Sequence, residues 1–312
     1  MITIFTALYP EAKELIRALS LKKDMTQNHF QVFSDENNQI QIVITGASAI
    51  AAATAVAECS TRREPDSGDF LINYGSCAGR KNIPVGTVSL CNKLTQTVDG
   101  RTFYPDILYR HPFEEAELYS FPAVQDRESF QQFLDKDAGA GDRRKEILVD
   151  MEAAAIYQAG NYYYAPHQML FLKVVTDHGT TQETQSAVSE NAGSGEHFSQ
   201  IMDRAAEEVL TFIRQLLTMQ EKNSRQESMQ EAFKSQVEEQ AKLWQEALHG
   251  SETMKAQIRQ MILYHSLCEA KEASGKQTMS GWYREYEQAG RLPAKDKREG
   301  KRILEELRAR VL

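Results

Sequence analysis

Short β-branched runs recur through the first 220 residues, each followed by a helical pattern, and none occurs after them. That alternation constrains the fold more than any other feature of the chain. Ile2–Ala7 reads as a strand and is followed by a helix from about Glu11 to Leu19, with Leu15, Ile16 and Leu19 on its apolar face. Phe30–Ser34 and Ile40–Thr45 read as a hairpin around Glu36-Asn37-Asn38, because paired Asn suits a tight turn. An Ala-rich helix from Ala49 to about Glu58 precedes strands at Phe70–Tyr74 and Thr87–Cys91. A helix near Glu128–Leu134, a helix at Met151–Ala159, a strand at Met169–Val175 and a long helix from about Glu196 complete the series. Strands alternating with helices predict an α/β domain around a largely buried central sheet.

Beyond Leu217 the texture changes. Residues 219–246 are rich in Gln, Glu and Lys, with Phe233, Val237, Leu243 and Leu248 at roughly helical spacing. Gly250, Gly275, Gly281 and Leu292-Pro293 punctuate further helices, the last over Asp296–Val311. The chain therefore divides into an α/β domain over 1–218 and an all-α extension over 219–312, with Trp282, Tyr283 and Tyr286 as its candidate core. A flexible linker in the Gln/Glu-rich stretch is the alternative. The residues of the extension name no role; docking of a protein partner, or regulation, is the expectation that its being additional to the α/β domain motivates.

Charge narrows the function classes. The net charge is −8, and residues 1–220 hold 19 Lys+Arg against 29 Asp+Glu, whereas residues 221–312 hold 17 against 15. An acidic body is a poor nucleic-acid surface, since phosphate contacts need clustered cations. Apolar runs such as Ile42–Ile44 are far too short to span a bilayer, and the N-terminus lacks a signal-peptide pattern, so a cytoplasmic address is expected. Cys59, Cys77, Cys91 and Cys268 are scattered without clustered His, which predicts reduced, buried thiols and no metal site.

Four segments carry candidate chemistry. Thr6-Ala7-Leu8-Tyr9-Pro10-Glu11 sets a carboxylate where the first strand turns into a helix. Asn73-Tyr74-Gly75-Ser76-Cys77-Ala78-Gly79 follows a buried strand with small residues that admit close backbone approach. Val149-Asp150-Met151-Glu152-Ala153-Ala154-Ala155 opens a helix with two acids, and Lys173-Val174-Val175-Thr176-Asp177-His178-Gly179 ends a buried strand in a third. In open α/β sheets ligands gather at the carboxyl ends of strands. Each acid also has a bland role: Asp177 as a turn cap before Gly179, Glu152 and Glu11 as helix-dipole partners. His178 reads as a solvent-facing loop residue.

In this order these motifs resemble the purine/uridine phosphorylase-like family, and within it the methylthioadenosine/S-adenosylhomocysteine nucleosidases, over about residues 1–218. The resemblance implies a mixed, twisted central sheet flanked by helices, no cofactor, and a homodimer. It implies cleavage of the N-glycosidic bond of a purine nucleoside. Asp177 then corresponds to the general acid toward the base, Glu152 to the carboxylate on the ribose hydroxyls with Met151 beside the sugar, and Glu11 to the group positioning water. Lys173 stands where family members often carry Arg near that water. Thr176 would orient Asp177, and Ser76, Cys77, Ala78 and Gly79 would line the sugar and base floor. The set also makes chemical sense by itself. Glycosidic cleavage builds positive charge on the ribose and negative charge on the leaving base, so an acid is needed on one side and a carboxylate on the other. Such an acid needs a raised pKa, which burial would supply to Asp177.

Two departures from the family matter. The stretch between Gly79 and Met151 is short and lacks the G-D-x-F type segment whose aromatic stacks on the purine, leaving Phe103, Tyr104, Tyr119 and Phe121 as candidates. A phosphorylase needs cations near the first strand's end and after the glycine segment. Here the first place offers Glu11 with no basic residue until Lys13, and the second only Arg80, so water is favoured over inorganic phosphate as nucleophile. Phosphorolysis, and a catalytically silent nucleoside-binding module whose helical tail carries the output, are the alternatives.

Overall fold

The computed structural model describes residues 1–26, 29–136, 146–179, 194–269 and 279–311. Its chain divides into two compact units, Met1–Lys222 and Asn223–Leu312. The first is an α/β unit whose strands form one mixed sheet. The central strands β1 (Ile2–Thr6), β4 (Ile40–Ile44), β5 (Phe70–Gly79) and β10 (Met169–Asp177) run parallel in the order β10-β5-β1-β4. Their near-continuous apolar sequences follow from burial on both faces. Outside β4 lie β3 (Gln31–Ser34) and the two-residue β2 (Lys22–Lys23), both antiparallel to their neighbours, and Asn38 turns the β3–β4 hairpin with φ at 52°.

On its other side the sheet curls and closes. Strand β10 also pairs with β6 (Val88–Gln96), β6 with β8 (Glu114–Ser120), β8 with β9 (Ile147–Asp150), and β9 returns to β5. The short β7 (Thr102–Phe103) pairs only with β6. Because β9 is antiparallel to β5, it sets Val149 opposite Ala78 and delivers the chain after it to the carboxyl-terminal part of β5. Some stretches differ from their sequence reading. The small residues Gly75–Gly79 continue the strand rather than follow it, Ile147–Asp150 is a strand ahead of the helix, and the acidic Glu114–Ser120 is a full strand that the charge-rich sequence concealed.

Helices cover both faces. Helices α1 (Tyr9–Ala18) and α5 (Ser194–Ala247) bury Ala12, Leu15, Met202, Val209 and Ile213 against Ile4, Ile72 and Tyr74 on one side. Helices α2 (Ala49–Arg62) and α4 (Ala153–Gly160) bury Ala52, Val56, Ala153 and Ile156 against Phe5, Leu71 and Phe171 on the other. Alternate residues of β5 serve opposite cores, as the two-residue period of a strand requires. A smaller cluster joins Phe130 and Leu134 of α3 (Arg127–Lys136) to Ile147 and Val149. Helix α5 does not break at residue 218; it continues to Ala247, so the Gln/Glu-rich stretch is helix rather than linker.

In the second unit the end of α5 packs with α6 (Glu252–Glu269), α7 (Met279–Gln288) and α8 (Lys297–Val311) around Trp244, Ile258, Trp282, Tyr286 and Ile303. Arg291 and Arg310 lie over the Tyr286 ring at 4.8 and 5.2 Å, and Arg291 also pairs with Glu306 at 2.8 Å. The tightest approach is at Gly300, where a Cβ would fall 1.9 Å from the Leu248 carbonyl oxygen. Gly300→Ala should therefore destabilise this unit by about 1–3 kcal/mol, despite alanine's better helix propensity. Both tryptophans of the chain, Trp244 and Trp282, lie in this unit. Tryptophan fluorescence during urea unfolding thus reads it separately, and an unshifted midpoint in the variant would refute the close packing.

Candidate active site

Glu11 is the third residue of α1, reached directly from β1, and its side chain is buried. Pro10 sits in the first turn, where its missing N–H costs nothing. One Glu11 oxygen accepts from the Leu8 N–H at 2.9 Å, closing the helix start, and from Thr6 Oγ1 at 2.8 Å. The other accepts from Ser76 N at 2.9 Å and Ser76 Oγ at 2.7 Å. Four donors fill the lone pairs of this carboxylate. Gly75 makes room for it, since a Cβ there would lie 3.3 Å from Glu11 Oε1. The capping role and the strand-crossing role of Glu11 thus coexist.

The two acids of the Asp150-Met151-Glu152 segment divide their work. Asp150 accepts from the Ala153 N–H at 2.8 Å and from Ser120 Oγ, while Ser120 Oγ accepts from the Ala154 N–H at 3.0 Å. These two side chains satisfy the first free N–H groups of α4, and Glu152 makes no cap bond. Asp150 also pairs with Lys173 Nζ at 2.9 Å, both side chains being almost wholly shielded from solvent. Burial alone would depress the Lys173 ammonium, but Asp150, Glu152 and Glu11 outweigh it and hold its pKa above the usual lysine value. Glu152 is pushed from 4.5 up to about 8, first by burial and then by Asp150 and Glu11, with Lys173 and the Met151 N–H pulling the other way.

Asp177 ends β10 beyond a register shift between Val175 and Asp177. Such a bulge re-aims the side chains beyond it. Asp177 Oδ1 accepts from the Gly179 N–H at 2.8 Å, the turn-capping contact, while Oδ2 lies 3.3 Å from Thr176 Oγ1. Burial raises its pKa, opposed by those two hydrogen bonds and by His178. His178 is not the solvent-facing residue the sequence led us to expect. It is half-buried, and its Nδ1 lies 3.0 Å from the Gly79 carbonyl, an acceptor that requires Nδ1 to carry a proton.

Glu11, Glu152 and Asp177 line one cleft of about 190 Å³. Ser76, Cys77 and Ala78 of β5 line it as well, as do Met151 and Thr176. Gly79 and Lys173 lie outside that lining. Gly79 lets β5 approach β10, where a Cβ would meet Val175 Cγ1 at 2.8 Å, and Lys173 sits behind the cleft against Asp150. Sequence reading named Asp150 as one of two acids opening the helix but gave it no role, although its position three residues before Ala153 was a capping signal. Asp150 lines the cleft too. That reading missed Ala123, Val124 and Gln125, which line the cleft from a loop that carries no motif. No candidate stacking aromatic lines the cleft. Phe103 stacks on Tyr157 at 5.0 Å, Tyr119 and Phe121 pack edge-on against Phe133 at 4.9 and 5.1 Å, and Tyr104 is exposed. Core packing claims three of them.

Among the described residues no Lys or Arg lines the cleft; Lys13 is exposed on α1 and Arg80 lies beyond the end of β5. Cys77 and Cys91 are buried free thiols, Cys59 is half-buried with its pKa raised by burial to about 11, and the side chain of Cys268 lies outside the described residues. Among the described residues no helix is long and apolar enough to cross a membrane.

No protein-family model matches the sequence, and no curated protein matches it. Solved structures do match by fold. The 5′-methylthioadenosine nucleosidase of Arabidopsis thaliana in apo form superposes with a TM-score of 0.54 at 15% identity, covering 69% of this chain and 95% of that one. The 5′-methylthioadenosine/S-adenosylhomocysteine nucleosidase of S. pneumoniae with a transition-state inhibitor gives 0.52 at 17%, covering 68% and 97%. A Helicobacter pylori variant with 5′-methylthioadenosine in its active site gives 0.52 at 10%, covering 69% and 98%. The α/β unit therefore has the nucleosidase fold, a mixed sheet flanked by helices, and the helical extension is additional to it.

The raised pKa of Glu152 has a thermodynamic consequence. A carboxyl whose folded pKa of about 8 exceeds its ordinary 4.5 stabilises the fold fully below the lower value and loses that contribution as pH rises through the higher. A tenfold change in such a proton equilibrium is worth about 1.4 kcal/mol. Stability of the α/β unit should fall between mildly acidic and mildly alkaline pH, and Glu152→Gln should flatten the fall. Urea unfolding followed by far-UV circular dichroism checks this; equal slopes in the two proteins would contradict it.

Proposed function

We propose that the cleft cleaves the N-glycosidic bond of a purine nucleoside by hydrolysis. The observation that carries this reading is the convergence on one small cleft of three acids from α1, the β9–α4 junction and the end of β10. The fold shared with the nucleosidases supports it. In this reading the bond from the sugar C1′ to the base nitrogen breaks with its electron pair leaving on the base. Asp177, whose pKa burial raises, gives its proton to the base as that charge develops. Glu152 accepts from the ribose hydroxyls, and as a carboxylate it steadies the positive charge on the ring. Water adds to C1′ from the Glu11 side and loses a proton to that carboxylate. Glu11 can accept it once Ser76 Oγ, one of its four donors, turns away.

Hydrolysis is preferred over phosphorolysis because the lining holds four carboxylates and, among the described residues, no cation, an arrangement that repels a phosphate dianion. A cleft of about 190 Å³ holds a sugar more readily than a whole nucleoside, so the base would sit toward its mouth beside Val124 and Gln125. A homodimer belongs to the same reading. Ile50 on α2 and Tyr162 just after α4 are 81% and 86% exposed and line a surface cleft of about 750 Å³, apolar area that a second copy would cover.

Incubation with adenosine, inosine, methylthioadenosine and uridine, followed by chromatography of base and sugar, tests the activity. Free ribose is expected rather than ribose 1-phosphate, even with phosphate present. Asp177→Asn should lower kcat about 10²–10⁴-fold with the fold intact. Binding without base release from any of the four would favour the silent nucleoside-binding module instead. Tyr162→Glu should shift sedimentation toward monomer; an unchanged species distribution would remove that face from the dimer.

A further inference from the structure

The buried pair Lys173–Asp150 has no role in the chemistry just described, yet it is the most shielded ionic contact beside the cleft. Its two side chains are 2% and 1% exposed at an N–O distance of 2.9 Å. Burying an ion pair brings little net stability by itself, so its placement calls for another explanation. Asp150 takes the Lys173 ammonium and the Ala153 N–H on one oxygen and Ser120 Oγ on the other. The start of α4 is thereby satisfied without Glu152, which is left to line the cleft.

The charges around Glu152 come from three elements: Asp150 on β9, Lys173 on β10 and Glu11 on α1. Three buried carboxyl groups that line the cleft thus surround one buried ammonium. Glu11 accepts from Thr6, Leu8 and Ser76, and Asp150 from Ser120, Ala153 and Lys173. Glu152 shares none of these donors.

We propose that Asp150 and Lys173 are positioning residues that keep Glu152 protonated in the empty cleft and let it ionise when ribose hydroxyls arrive, so that sugar binding is coupled to release of one proton. The proposal rests on the nucleosidase reading of the cleft. The two ribose hydroxyls are donors, and a neutral carboxyl spends one oxygen on its own hydrogen. On binding, that hydrogen leaves to solvent and both oxygens become acceptors for the diol. Lys173 supplies the positive charge that makes the ionised state accessible; Asp150 supplies the negative charge that opposes it in the empty cleft. The raised pKa of Glu152 agrees with this balance.

The test follows Glu152 directly. Side-chain carboxyl carbons of the full chain are labelled with ¹³C, the Glu152 signal is assigned by its loss in Glu152→Gln, and its titration is recorded by NMR. Asp150→Asn preserves an oxygen for the Ala153 N–H and should lower the midpoint by about one pH unit or more, a tenfold change in ionisation. Lys173→Met should raise it by a similar amount, and Lys173→Arg, which retains the charge, should leave it near the wild-type value. Should Lys173→Met fail to fold, Asp150→Asn and Lys173→Arg still decide. On an Asp177→Asn background, saturating adenosine should lower the midpoint by more than tenfold in proton affinity, whereas 2′,3′-dideoxyadenosine, which lacks the diol, should not. A midpoint indifferent to Asp150→Asn, or one that moves equally with both nucleosides, overturns the proposal. Failure of the nucleosidase reading shows itself differently, as no base released from any nucleoside while the Glu152 midpoint still moves with Asp150 and Lys173.

Discussion

One ammonium among three carboxyl groups, all withdrawn from water, is the constraint on which the cleft depends. In a low-dielectric space like charges repel strongly, so Glu11, Asp150 and Glu152 cannot stand together without Lys173 and a proton. The surrounding structure reflects that requirement. Glu11 is surrounded by donors, Asp150 is locked to a helix start and to Lys173, and Glu152, which shares none of those donors, lines the cleft where a ligand could supply hydrogen bonds. Removing one partner of such a pair costs about 3–5 kcal/mol, because the other charge is stranded.

The sheet explains how these residues meet. Parallel β1, β5 and β10 bring Glu11, Ser76 and Asp177 to one end of the sheet, as parallel strands regularly do with the residues that follow them. Asp150 and Glu152 arrive by another route, because β9 runs against β5 and enters from the opposite direction. Only closure of the sheet through β6, β8 and β9 permits this. Gly79 serves the central pairing instead, its missing Cβ letting Val175 of β10 approach β5.

How much of this could be read in advance depended on the residue. The parallel strands were legible because both of their faces are buried and their sequences are almost continuously apolar. Strand β8 was not, because Glu-Glu-Ala-Glu-Leu-Tyr-Ser buries only alternate side chains and shows acids on its other face. The small residues Gly75–Gly79 were placed after the end of the strand, whereas they continue it and serve close approach between strands and room for Glu11. The three acids of the cleft were identifiable by position, each at a strand end or helix start. Their individual duties were not, because capping and chemistry favour the same residue types at the same places. The aromatics offered no such positional signal, and three of them belong to packed clusters.

The helix start at Ala153 shows how those duties separate. A helix needs its first free N–H groups satisfied, and one acid with a hydroxyl suffices; Asp150 and Ser120 do this here. A second acid two residues later gains little from the helix dipole once buried, and burial penalises its charge. Glu152 therefore lowers the stability of the empty protein at neutral and alkaline pH rather than adding to it. A residue that costs the fold something, beside a neighbour that already meets the local need, is one whose retention the fold does not explain. At Glu152 what lies within reach to account for it is the cleft.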